Sequence, residues 1–137
     1  MPELVTSSPA ETERAGLLLG ERLRPGDVVL LTGELGAGKT TFVRGIAQGT
    51  GSKADVASPT FQLVRIYPGR VQLAHVDLYR VENNAELRDL GLEELADRGA
   101  VVVEWGDRIV VDGAVRIHIE HLGGNRRLIR TENDLGH

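Results

Sequence analysis

The chain has 137 residues, 41% hydrophobic and 26% charged, with no cysteine and a formal net charge of −4. That length suits one globular domain with a sizeable core; the composition excludes disulfides, thiolate metal sites and cysteine nucleophiles, and the acidic balance argues against gripping nucleic acid unaided. No apolar stretch approaches the ~20 residues that span a bilayer, and the N-terminus lacks a signal peptide's basic-then-apolar pattern, so a cytoplasmic protein with no membrane partner is expected.

In chain order, Ser8-Pro9-Ala10-Glu11 has the pattern of a capping box with Pro at the first helical position. A helix is predicted from about Pro9 to Leu23, with Ala15, Leu18, Leu19, Arg22 and Leu23 around its inner stripe. Asp27–Thr32 is a short, nearly continuous apolar run after Pro25-Gly26, the pattern of a buried strand in a parallel sheet. Lys39–Gln48 follows as a helix stopped by Gly49 and Gly51. Phe61–Tyr67 and Val71–Val76 flank Pro68-Gly69 and read as a hairpin. Asn83-Asn84-Ala85-Glu86 is expected to cap a short helix ending near Leu90, with Leu92–Ala96 adding a turn. Ala100–Val103 is a second apolar, β-branched run and hence a second central strand. Arg116–His121 and Arg127–Arg130 are two late strands around Gly123-Gly124-Asn125, at an edge, and Thr131 to His137 is a frayed tail. Helices interleaved with strands give an α/β class: a single domain with residues 8–130 as ordered core and a mixed, mostly parallel sheet flanked by helices.

Between the first strand and its helix stands Gly33-Glu34-Leu35-Gly36-Ala37-Gly38-Lys39-Thr40. It matches G-x-x-x-x-G-K-[ST], a phosphate-binding loop, in the strand–loop–helix setting that the motif requires. Glycines let successive backbone N–H groups point at phosphate oxygens. Lys39 offers a mobile ammonium to the β- and γ-phosphates, and the Thr40 hydroxyl can ligate a bridging Mg²⁺. Only Lys39 and Lys53 are lysines among 16 basic residues, so one of two lysines falls where phosphate chemistry asks for it.

Such a loop still needs an acid for the metal or the attacking water, and strand ends supply acids at the ligand-binding edge of a parallel sheet. Glu104 follows Val101–Val103 and is the candidate for Mg²⁺; Asp77 follows Leu73–Val76 and is the candidate for placing water or helping hold the metal. The bland alternative for each is a helix cap or a surface acid. His75 lies two residues before Asp77 on the same strand face, either orienting that acid or serving as a satisfied core histidine. His118, His121 and His137 read as solvated, and Trp105 as packing near the site through Glu104. In Ser58-Pro59-Thr60-Phe61, Pro59 stiffens the turn and Thr60 is placed to sense a γ-phosphate. The guanine-reading N-K-x-D motif is missing, which favours ATP.

Gly33–Thr41, Ser58–Phe61, His75–Arg80 (H-V-D-L-Y-R) and Glu104-Trp105, in that order and spacing, resemble the TsaE family, small bacterial ATPases of tRNA threonylcarbamoyladenosine biosynthesis. The likeness covers about Ser8 to Arg130, without departure at the motif positions. The resemblance implies slow, Mg²⁺-dependent ATP hydrolysis. It implies as partners the threonylcarbamoyl-transferase TsaD and its paralogue TsaB, with tRNA met only through that complex. It places Gly36, Ala37, Gly38, Lys39, Thr40 and Thr41 on phosphates, Thr40 and Glu104 on Mg²⁺ and Asp77 at the γ-phosphate. Ser58 and Thr60 fall in a switch-like loop. Ser8 and Arg126 are the matches for nucleotide contacts at the first helix and at a late arginine, with Arg127 competing for the latter. Two other readings stand beside this one: a nucleotide-gated partner-binding switch with negligible hydrolysis, and a small metabolite kinase.

Overall fold

The two apolar runs expected at the centre of the sheet lie side by side there. In the computed structural model, which describes residues 3–34, 38–53, 64–78, 91–105, 109, 111, 113–133 and 135, the elements are, in order, β1 (Glu3–Thr6), α1 (Pro9–Arg22), β2 (Val28–Thr32), α2 (Lys39–Gly49), β3 (Val64–Tyr67), β4 (Leu73–Asp77), α3 (Leu92–Arg98), β5 (Ala100–Glu104), β6 (Val115–Gly123) and β7 (Arg126–Glu132). Seven strands form one sheet in the order β1-β7-β6-β2-β5-β4-β3. Its middle four, β6, β2, β5 and β4, run parallel. Antiparallel partners flank them, β3 on β4 and β7 then β1 on β6. This is the α/β class with a mixed sheet, and the β3–β4 pairing bears out the hairpin around Pro68-Gly69. The expected helix from Asn83, and the Phe61 end of the first hairpin strand, lie outside the described residues.

Alternation divides the core in two. Val29, Leu31, Leu73, Val102, Val115 and Ile117 meet Phe42, Val43 and Ile46 of α2 on one face. Leu30, Ala74, Val76, Val101 and Val103 pack on the other, with Leu92, Leu95 and Ala96 of α3 against them. All five residues of β5 are buried, as a strand covered on both faces must be.

Three features differ from the sequence reading. β1 was not expected: four residues with weak alternation carry little signal, and their strand state comes from pairing with β7, Glu3↔Arg130 to Thr6↔Arg127. β6 is not at an edge, since β7 and β1 lie outside it, and β7 continues through Glu132, two residues past its expected end. The inner stripe of α1 is also different. Leu23, the C-cap, is fully buried as expected and Ala15 and Leu19 pack partly buried against the core, but the helix's own buried residues are Thr12, Gly16 and Gly20, Arg22 is exposed and Leu18 is 50% exposed.

The reason is a backbone-to-backbone crossing. A Cβ on Gly16 would stand 2.1 Å from the Phe42 carbonyl oxygen, and one on Gly20 2.2 Å from that of Ile46. Across the contact, a Cβ on Gly45 would stand 1.9 Å from the Glu13 oxygen, and one on Gly49 2.3 Å from that of Leu17. Hydrophobic periodicity cannot see a helix contact made by residues without side chains. Alanine is the better helix former by up to ~1 kcal/mol, yet here the clash overrides propensity. Gly45→Ala should lower stability by about 3 kcal/mol through overpacking, read as a lower urea midpoint at unchanged m-value. A midpoint equal to wild type would show that the helices separate freely.

Candidate functional site

The ends of β2, β5 and β4 bring the predicted groups to one edge. Cα pairing sets Leu31 beside Glu104 and Glu104 beside Asp77. β2 ends at Thr32, the loop begins at Gly33, and α2 starts at Lys39 beneath the same edge. Thr40 and Thr41, both half-buried, are its second and third residues. Gly36, Ala37, Ser58 and Thr60 lie outside the described residues.

The two long helices treat their N-termini differently. α1 closes its own: the Ser8 hydroxyl accepts from the Glu11 N–H at 3.1 Å, and Glu11 Oε1 accepts from the Ser7 N–H at 3.3 Å. The Ser8 cap expected from the sequence is therefore present, with Glu11 reaching back one residue further, to Ser7, than a strict capping box does, and it engages the side chain of a residue that the resemblance matches to a nucleotide contact. α2 has no side-chain cap. Its N-cap, Gly38, sits at φ 98°, ψ 17°, a left-handed conformation that glycine takes at little cost. An uncapped helix start exposes N–H groups and the positive dipole end, the combination that binds anions.

Lys39 is 95% buried by its neighbours, with 5% exposure. Its ammonium donates to the Gly33 carbonyl oxygen at 2.6 Å and lies 3.5 Å from the centroid of the Trp105 ring. A cation over an indole face gains ~0.5–2 kcal/mol, more as water is excluded. Trp105 reaches that position at φ 63°, rare for a non-glycine residue and a cost of ~1–3 kcal/mol. So Trp105 is more than packing beside Glu104: it caps the lysine.

Glu104 is 4% exposed, and its Oε2 accepts from Nε2 of the fully buried His75 at 2.6 Å. His75 and Asp77 do share a strand face, but the ring bonds Glu104 and not Asp77. His118 was expected to be merely solvated; it is exposed, yet its Nδ1 lies 2.8 Å from the Thr32 hydroxyl. His121 Nε2 lies 3.0 Å from the Gly124 carbonyl oxygen.

Of the two late arginines, Arg127 is the one beside the loop. A Cβ built on Gly38 would meet Arg127 Nε at 3.4 Å, whereas Arg126 is exposed at the start of β7. Pairing of Thr6 with Arg127 also brings the start of α1 to this side. The sequence signal was too weak to separate two consecutive arginines, because strand parity depends on a register fixed only by β1 and β6.

The donors gathered here suit a phosphate chain and a hard cation. A buried lysine and an open helix start are groups that suit anions, and hydroxyl and carboxylate oxygens such as those of Thr40, Glu104 and Asp77 are the donor type that Mg²⁺ prefers.

A family described as threonylcarbamoyl adenosine biosynthesis protein TsaE has a model that matches residues 6–129, from the end of β1 into β7. The chain belongs to the TsaE family. It is 42% identical over 106 residues to the tRNA threonylcarbamoyladenosine biosynthesis protein TsaE of Treponema pallidum, covering 77% of this chain and 78% of that one. The TsaE of Bacillus subtilis is 40% identical over 129 residues, 90% of this chain and 80% of the relative. Among solved structures, Bacillus subtilis YdiB is similar with a TM-score of 0.76 at 32% identity, over 96% of this chain and 85% of that one. Among the described residues no helix is long and apolar enough to cross a membrane.

Trp105 is the chain's only tryptophan, so its emission reports on Lys39. Titration with a nucleoside triphosphate and Mg²⁺ should change intrinsic fluorescence saturably as the ammonium turns to phosphate. Lys39→Ala should shift the starting spectrum and remove most of the response. Identical spectra and titrations in both proteins would dismiss the ring–lysine contact in solution.

Proposed function

We propose that this TsaE-family chain binds ATP with Mg²⁺, hydrolyses it slowly, and does so for threonylcarbamoyladenosine modification of tRNA by acting on the TsaD–TsaB complex. The observation that carries this is the open start of α2, with buried Lys39 at its first position and the register-paired Asp77 and Glu104 at the same sheet edge.

Each residue then has a stated task. Backbone N–H groups of Gly36, Ala37, Gly38 and Thr41 take phosphate oxygens, and Lys39 exchanges the Gly33 carbonyl for the β- and γ-phosphates. Thr40 and Glu104 hold Mg²⁺, which when bound offsets the charge of the phosphate chain. Asp77 orients water towards the γ-phosphate. Arg127, adjacent to Gly38, is favoured over Arg126 as the late arginine at the nucleotide. Ser8, already accepting from Glu11, contributes through the helix start that it closes. Ser58 and Thr60 belong to a loop that responds to the γ-phosphate. tRNA meets the chain only through the partner complex, and the acidic balance of −4 agrees with that.

A nucleotide-gated switch with negligible hydrolysis is the second reading. The link from loop to sheet edge through Lys39 and Trp105 favours it, since phosphate binding would be felt at the end of β5.

Phosphate release from ATP by the chain, with and without TsaD and TsaB, tests the proposal. Turnover should be slow alone and rise with partners; an arginine supplied in trans is worth ~10³–10⁵ in rate. Lys39→Ala should abolish release, and Thr40→Ala and Glu104→Ala should weaken Mg²⁺-dependent binding. Undiminished hydrolysis in Glu104→Ala would remove that residue from the site. Equal rates with and without partners would end the activation claim. Bound ATP without release in any condition would leave the switch.

A further inference from the structure

Resting on the reading of Glu104 as a cation ligand, we propose that His75 is the positioning residue that holds Glu104 ready for Mg²⁺. The two occupy neighbouring parallel strands, with His75 opposite Val102 and Glu104 two residues further along β5 on the same face. Nε2 of the ring reaches diagonally to Oε2 at 2.6 Å, between side chains that are 0% and 5% exposed. A carboxylate only accepts, so the ring donates and its hydrogen is on Nε2. Nδ1 is fully enclosed and has no hydrogen-bond partner among the described residues. A hydrogen there would bury a donor without an acceptor, so the bare Nδ1 fits the neutral tautomer.

The choice of partner matters chemically. An arginine or lysine at this place would fix the carboxylate but offset its charge, competing with an incoming cation. A neutral imidazole fixes it and leaves the charge intact, as groups behind metal ligands commonly do. Oε2 is thereby committed, while Oε1 makes no hydrogen bond among the described residues. The ring itself is held by burial and by Tyr67, whose ring centroid is 6.1 Å away at a 34° tilt. Glu104 is the last residue of β5, just before the backbone turns at Trp105, so its side chain needs an anchor other than continuing strand.

The test uses the full chain with Mn²⁺ as the probe cation and a non-hydrolysable ATP analogue. Two constants are measured: analogue affinity in EDTA, and Mn²⁺ affinity, by electron paramagnetic resonance, with the analogue saturating. His75→Leu should weaken Mn²⁺ binding ~10–100-fold and leave analogue affinity in EDTA within about twofold, as for a site independent of the phosphate contacts. His75→Gln, which keeps an N–H donor near Nε2, should recover most of the Mn²⁺ affinity. Unchanged Mn²⁺ affinity in His75→Leu would overturn the inference, as would an equal loss of both constants, or a Gln variant no better than Leu. Should His75→Leu not fold, the wild-type imidazole ¹⁵N spectrum decides: an Nε2–H tautomer whose signal moves when Mg²⁺ joins the bound analogue supports the role, and an Nδ1–H tautomer overturns it. Glu104→Gln separates the two levels. Loss of Mn²⁺ in Glu104→Gln with none in His75→Leu defeats this inference alone. No loss in Glu104→Gln defeats the cation reading and this inference with it.

Discussion

The contact between α1 and α2 is the constraint on which the rest depends. Four glycines let two helix backbones touch, so α2 lies close against both α1 and the sheet. Its axis then delivers Gly38 and Lys39 to the ends of β2 and β5. Were the crossing wider, the open helix start would no longer sit where Glu104 and Asp77 emerge. The interior is packed densely enough that such a shift would be felt across the sheet. The core residues supply most of the stability, at ~1.5–3 kcal/mol per large buried aliphatic side chain, but the glycines set the geometry.

Buried charge is handled consistently at the sheet edge. Burying an ion costs several kcal/mol unless other groups replace its water. Lys39 is met by a carbonyl oxygen and an indole face, and Glu104 by an imidazole. Each of these contacts lowers the cost of taking the charged group out of water. The strained Trp105 backbone has its place in this arrangement, as strain often does near binding groups.

Much of this was legible in the sequence. The strands through Asp27–Thr32 and Ala100–Val103 announced themselves by uninterrupted aliphatic residues, and the α2 motif by its fixed residue types. Ser8 and Glu11 were readable as a cap because capping is local chemistry. What could not be read depends on sequence-distant pairing. β1 acquires its state from β7. That Arg127 lies beside Gly38 follows from its place in β7. His75 meets Glu104 and not its near neighbour Asp77, because parallel pairing offsets them by two residues. The glycine crossing was hidden for a different reason: the usual index of a buried face counts side chains, and here the buried face has none.

β2 carries the loop, yet its neighbours on the two sides, β5 and β6, are both made long after it, and β1 finds its partner only in β7. A chain emerging from the ribosome has the Gly33–Lys39 segment early and must wait for β5, β6 and β7 to frame it. Until β6 arrives, one edge of β2 is an open ladder; until β7 arrives, nothing places Arg127 near Gly38. Pairings so far apart in sequence make for slow closure, and exposed strand edges invite contact with other chains. The same topology that gathers sequence-distant residues around one loop therefore makes the framing of that loop wait on strands made well after it.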